Sequence, residues 1–279
     1  MQVLPRKKLR LVTMDTNVSL EQRQYVKNYL MNQRKVWITQ ITIFVVLVAL
    51  WEIGAQTGFI DAFIFSSPSR VARTIYEMVK NGTLFYHLGI TLYETLLSFA
   101  FVNIFGITIA VLLWWNHNIS KVLEPYLVVL NSLPKSALAP VFIVWLGNNM
   151  KTIIIAAVSV SVFGTIITLY TDFKSVEEDK IKLIRTLGGT KKDILWRVVL
   201  PSNIPSMISL MKVNIGLSLV GVIIGEFLAA RAGLGYLIIY GSQVFKLDFV
   251  IMSIILLCVL ATALYKGLGI LEKRYGEHS

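Results

Sequence analysis

Four stretches of this chain, residues 36–51, 95–120, 152–171 and 249–265, contain no Asp, Glu, Lys or Arg. Each is near the length of roughly 20 apolar residues that an α-helix needs to cross the hydrocarbon core of a bilayer. Backbone polar groups in lipid must be satisfied within the segment, so runs of this kind confine the chain to membrane-spanning helices. Composition points the same way, with 55% hydrophobic residues, only 15% charged and a mean hydropathy of +0.67. The expected fold class is all-α: a polytopic membrane protein.

The formal net charge of +11 raises nucleic-acid binding as a rival, and the placement of Lys and Arg decides against it. Eight basic residues precede residue 36 (Arg6, Lys7, Lys8, Arg10, Arg23, Lys27, Arg34 and Lys35), and seven more lie between Lys174 and Arg197. That clustering beside apolar runs is the positive-inside bias of a membrane protein. Spans are expected at about 36–58, 84–115, 122–146, 151–170, 204–228 and 249–270, with both termini cytoplasmic. Trp37 and Trp51 flank the first span as interfacial anchors. Residues 1–35 form a basic arm, with 20–35 a candidate short helix, either solvated or a docking element. Residues 36–274 are the transmembrane domain, and 275–279 a cytoplasmic tail.

Between the spans, Ser69 is positioned to cap an amphipathic segment over 70–80 that Asn81-Gly82 ends. The third span is interrupted by Pro134 and Pro140, which free backbone carbonyls that neighbouring helices or a wet cavity must satisfy. The break either faces a pathway or kinks a packing helix. Lys212 falls near mid-membrane, where a charge needs water or a partner. With Asn131, Lys135 and Asn214 it can line an anion pathway, or it can pair structurally with an acid such as Glu94. Glu52 and Glu226 fall near span ends, within reach of the interface. Cys258, the single cysteine, reads as packing. The chain has no HExxH pattern and no Gly-x-x-x-x-Gly-Lys-Ser/Thr phosphate loop, so neither a metal enzyme nor an ATPase is indicated. No cleavable leader is evident at the N-terminus.

The segment 172–200 carries most of the chemistry. Ile181, Leu183, Ile184 and Leu187 recur at helical spacing, Gly188-Gly189 supplies a stop, and Thr190-Lys-Lys-Asp193 matches a capping box. A helix, a tight glycine turn and a second helix ending before Pro201 are expected at the cytoplasmic surface.

Gly188, followed thirteen residues later by Pro201 in Arg185-Thr-Leu-Gly188 and Arg197-Val-Val-Leu-Pro201, resembles the cytoplasmic loop signature of ABC importer permeases. That signature reads Glu-Ala-Ala, three residues, Gly, nine residues, then Ile, one residue and Leu-Pro. Here Lys182-Leu183-Ile184 replaces Glu-Ala-Ala and Val198 replaces Ile. Glu124-Pro125, Leu133-Pro134, Trp145-Leu-Gly147, Gly225-Glu226 and Gly233-Leu-Gly-Tyr236 extend the likeness, which is to the nitrate, sulfonate and taurine branch.

The resemblance implies a type I importer fold in a prokaryotic cytoplasmic membrane. It implies a non-catalytic subunit that forms the substrate pathway by alternating access, with no cofactor of its own. ATP and Mg would be bound by two separate ATP-binding cassette subunits, cargo would arrive on an extracytoplasmic binding protein, and a second permease copy would complete a homodimer. The helix before Gly188 would dock in an ATPase cleft, with Leu183 and Leu187 inserted, Glu178, Lys182 and Arg185 at the rim, and Gly188-Gly189 at its end. The cargo expected from the branch is a small anion such as a sulfonate or nitrate, with a vitamin precursor as the alternative. An ion-coupled carrier or a channel is the rival class, and neither needs the Gly188 loop.

Overall fold

The structure, a computed structural model, describes residues 20–276. Arg6, Lys7, Lys8 and Arg10 of the basic arm and residues 277–279 of the tail lie outside the described residues. The chain divides into two units, Met1–Ser69 and Arg70–Ser279.

In the first unit, α1 (Leu20–Gln56) is one unbroken helix of 37 residues, about 55 Å long at 1.5 Å per residue. It runs through residue 35 without a break, and nothing between Leu20 and Ile53 is Gly or Pro. The helix is longer than the roughly 30 Å hydrocarbon core, so its polar first turns continue directly into the span. A short α2 (Ala62–Phe65) follows, capped by Asp61, which accepts from the Phe63 amide. Ser69 does not cap the next helix. Pro68 takes the first position of α3 (Pro68–Lys80), where a missing N–H does no harm, and the Ser69 amide donates to Glu52.

The second unit contains the remaining spans. These are α4 (Thr83–Trp115), the pair α5 (His117–Ser132) and α6 (Lys135–Leu146), α7 (Met150–Lys174), α10 (Leu200–Ala229) and α12 (Leu247–Gly276). Between them lie α8 (Glu178–Thr186), α9 (Lys191–Ile194) and α11 (Leu234–Gln243), the last not foreseen from sequence. Five helices among the described residues are long and apolar enough to cross a membrane, and α5 with α6 supplies a sixth, bent by 96°. The bend falls at Leu133-Pro134, whereas Pro125 and Pro140 sit inside helices. Asn116 alone separates α4 from α5, and its side chain caps α5 by accepting from the Asn118 and Ile119 amides.

The helix that enters the last-but-one span does not stop before Pro201. A π-turn, Leu195–Val199, joins α9 to α10, and the Leu200 amide bonds to the Leu195 carbonyl five residues back. A proline ring clashes with the carbonyl four residues earlier. Widening the turn just upstream lets Pro201 ride through.

α7 is the centre of this unit, packed against both α4 and α10. Lipid gives helices no hydrophobic reason to associate, so close backbone approach supplies the attraction. A Cβ at Gly221 would lie 2.6 Å from Ala157 Cα, one at Gly225 2.9 Å from the Ile153 side chain, and one at Gly106 2.6 Å from Thr165. Gly221 and Gly225 form a G-x-x-x-G stripe on α10 that seats α7. Polar ties cross the same seams: Asn214 donates to Asn103 at 3.1 Å, and Thr165 lies 3.0 Å from the Asn214 oxygen. Glu226 is buried rather than interfacial, 1% exposed, and its carboxyl faces that of Glu94. Cys258 is exposed and does not pack.

Gly221→Val should disrupt this seam, since forcing extra carbons into a packed interface costs about 1–3 kcal/mol. The expected outcome is a lower melting temperature of the detergent-solubilised protein. Gly216→Ala, whose Cβ would meet nothing within 4 Å, should leave it unchanged.

Candidate functional site

The segment singled out by sequence folds as a helical hairpin. The 178–189 turn closes with two bonds characteristic of a left-handed C-terminal stop: Gly189 N–H to Ile184 O at 2.8 Å and Gly188 N–H to Arg185 O at 3.0 Å. Gly188 takes φ +78, which suits a residue without a Cβ. A Cβ at Gly189 would collide with Ile184. Thr190 and Asp193 then form a reciprocal capping box, with the Thr190 amide donating to Asp193 at 2.9 Å and the Asp193 amide to Thr190 Oγ1 at 3.3 Å.

The four apolar residues of this turn separate by face. Ile181 and Ile184 pack on the core cluster of Leu169, Phe173, Ile194 and Leu195. Leu183 and Leu187 point away, 60% and 75% exposed. Around them the charges are solvated and paired locally: Lys182 lies 3.5 Å from both Glu178 and Asp179. The hairpin is anchored at its base, where the Lys191 amine donates to the Trp115 carbonyl at 2.5 Å and lies 5.6 Å over the Trp115 ring. That bond places a cation on the C-terminal carbonyls of α4, where the helix dipole favours it. The Ser206 hydroxyl donates to Asp172, tying the end of α7 to the start of α10.

The four candidate pathway residues lie on α5, α6 and α10. Asn131 and Lys135 meet at the α5–α6 break, where the Lys135 amine donates to the Asn131 carbonyl and Asn131 abuts Gly164 of α7. Lys212 lies 5.7 Å over the Tyr265 ring, while Glu94, its suggested acid, faces Glu226. Asn214 is 1% exposed and its amide is used between Asn103 and Thr165. These bonds tie α4, α7 and α10 together. No group of three or more His, Cys, Asp or Glu suited to a metal occurs among the described residues. The residues that sequence reasoning undervalued are His87, Thr91 and Glu226, which converge on the start of α11. Their signal was the quoted pair of motifs, Gly225-Glu226 and Gly233-Leu-Gly-Tyr236.

An all-α bundle with a bent span and a charged helical hairpin defines the class: a polytopic transport protein with the type I importer permease fold. A solved methionine ABC transporter in an inward-facing conformation, MetNI, matches with a TM-score of 0.61 at 17% identity, over 70% of this chain and 97% of that one. Residues 102–276 match the binding-protein-dependent transport system inner membrane component family, and the chain belongs to it. Relatives include the formylaminopyrimidine transport permease protein ThiX of Halalkalibacterium halodurans, 28% identical over 69% of this chain and 76% of its own length. The putative aliphatic sulfonates transport permease protein SsuC of Bacillus subtilis is 24% identical, over 85% and 86%. The taurine transport system permease protein TauC of Escherichia coli is 23% identical, over 82% and 85%. The chain is thus a non-catalytic permease subunit of an ATP-driven importer.

Thr190→Ala removes one side of the capping box and should cost the hairpin about 1 kcal/mol. Hydrogen exchange should rise roughly fivefold at the amides of 190–194, with the 150–170 amides unchanged.

Proposed function

We propose that α8 is the element through which an ATP-binding cassette subunit drives this permease. The observation that carries the proposal is the exposure of Leu183 and Leu187 on a helix whose opposite face, Ile181 and Ile184, is rooted in the core of the spans. Two exposed leucines ringed by Glu178, Lys182 and Arg185 suit insertion into a partner groove with a polar rim. The Gly188 turn and the Lys191 bond to Trp115 give force applied at α8 a direct route into α4, and the π-turn gives it one into α10.

The basic-residue bias supports an orientation in which 1–35, 172–200 and the C-terminal tail face the cytoplasm and Gly82 and Arg231 face outward. ATP and Mg belong to the two cassette subunits. A loaded binding protein engages the outward face, and alternating access follows from two arrangements of the assembly biased from the two sides. One chain carries one docking helix, so a homodimer supplies one for each of two cassettes. Asn131, Lys135 and Lys212 are the polar groups offered to the pathway. The cargo is a small sulfonate, as the names of the SsuC and TauC relatives suggest. The ThiX relative favours a second reading, a pyrimidine vitamin precursor.

Gly188→Trp should abolish binding-protein-stimulated ATP hydrolysis and copurification of the cassette, with the permease still inserted. Arg185→Glu should act in the same direction, more weakly, because exposed ion pairs contribute little. Normal stimulation by Gly188→Trp would remove α8 from this role. Reporters fused after Gly82 and Arg231 should read outside and those after Lys192 and Glu277 inside. Uptake of labelled taurine, measured beside a formylaminopyrimidine in the same vesicles, decides between the cargoes.

A further inference from the structure

A helix begins with amides that have no partner inside it, and the N-cap residue of α11 is Gly233, whose lack of a side chain rules out a local side-chain cap. Three successive amides are instead taken by side chains of two spans. Gly233 N–H donates to His87 Nδ1 at 3.0 Å, Leu234 N–H to Thr91 Oγ1 at 2.8 Å, and Gly235 N–H to Glu226 Oε2 at 2.5 Å. The Thr91 hydroxyl in turn donates a hydrogen bond to Glu226 Oε1 at 2.7 Å, so both Glu226 oxygens are engaged. His87 and Thr91 belong to α4 and Glu226 to α10. Thr91 and Leu234 are 0% exposed and Glu226 1%.

The glycines are the complement of this arrangement. A Cβ at Gly233 would overlap the Glu226 carboxylate, and one at Gly235 would lie 2.7 Å from Oε2. The Glu226 carboxyl therefore sits directly on the backbone at the start of α11. From there an aromatic ladder continues outward: His87 stacks on Tyr236 at 6.1 Å and Tyr236 on Tyr240 at 5.9 Å. Those rings form one wall of a groove of about 570 Å³ whose other walls include Arg70, Lys246 and Asp248.

We infer that Glu226 is a positioning residue that locks α11 to α4 and α10 throughout the transport cycle, so that these three elements and the Tyr236–Tyr240 wall move as one body. Rigid-body motion slides at seams that are lightly bonded, and this seam is bonded through buried amides that are costly to leave unpaired. The function assigned to the lock rests on the alternating-access reading, because only a moving permease needs to choose which seams stay shut.

The test is hydrogen exchange on the permease assembled with its ATPase in lipid nanodiscs, nucleotide-free and trapped with ATP and vanadate. In the wild type the amides of 233–235 should be protected equally in both states. Glu226→Gln keeps the size but leaves one acceptor oxygen where the wild type has two. It should speed exchange at 233–235 at least tenfold, leave 178–187 unchanged, and cut binding-protein-stimulated ATP hydrolysis several-fold while basal hydrolysis persists. Thr91→Val, which removes two of the four bonds, should reproduce the same local deprotection and serves if Glu226→Gln fails to assemble. Loss of protection on trapping the wild type, full protection in both variants, or full stimulation in a deprotected variant would overturn the lock. Wild-type ATP hydrolysis that ignores binding protein would instead overturn the importer reading, with the exchange at 233–235 still deciding the lock.

Discussion

Close approach of small residues along α7 is the constraint on which the second unit depends. In lipid the apolar side chains of α4, α7 and α10 gain nothing from leaving solvent, so dispersion at short range and a few hydrogen bonds must hold them. Gly106, Gly221 and Gly225 provide that range, each meeting α7 where a Cβ would intrude. Once the backbones are this near, the Asn103, Asn214 and Thr165 side chains fall within bonding distance, and each satisfies a polar group that lipid could not. The same seam brings Thr91 and Glu226 together at one end and Asp172 and Ser206 at the other.

The two ends of the bundle are built differently, and the difference suits their roles. Within the hairpin at the α8 end the links are local and exposed: a glycine stop, a capping box, Lys182 between two acids. Such a surface is ordered enough to present Leu183 and Leu187, yet leaves them open to a partner. At the α11 end the links are long-range in sequence and buried, joining residues 87 and 91 to 233–235 and 226. Burial makes each unmade bond expensive, which favours a fixed structure over an adaptable one.

The hairpin at 178–194 was legible in the sequence almost residue by residue, because its signals are local. A positive-φ glycine and a Thr-x-x-Asp box need only their own neighbours. The π-turn before Pro201 was not legible: proline announces a break, but whether the helix stops or widens depends on what holds the two sides in line, here Ile194, Leu195 and Val199 packed on Leu169 and Phe173. Asn214 was ambiguous for a related reason. A polar residue in a span signals either a pathway or a tie, and only its neighbours on α4 and α7 distinguish them. Glu226 looked interfacial by its position near a span end, yet α11 folds back over it.

The sequence by itself determined that the chain crosses a membrane, roughly where each span lies, and that a charged hairpin interrupts them. It did so because these properties follow from the length of apolar runs and from hydrogen bonds closed within a few residues. Tertiary structure alone decided which buried polar groups meet, that Glu94 faces Glu226 rather than Lys212, and that α11 is capped from two spans. Those outcomes depend on the rotation and depth of helices relative to one another, and interhelical packing of small residues fixes both.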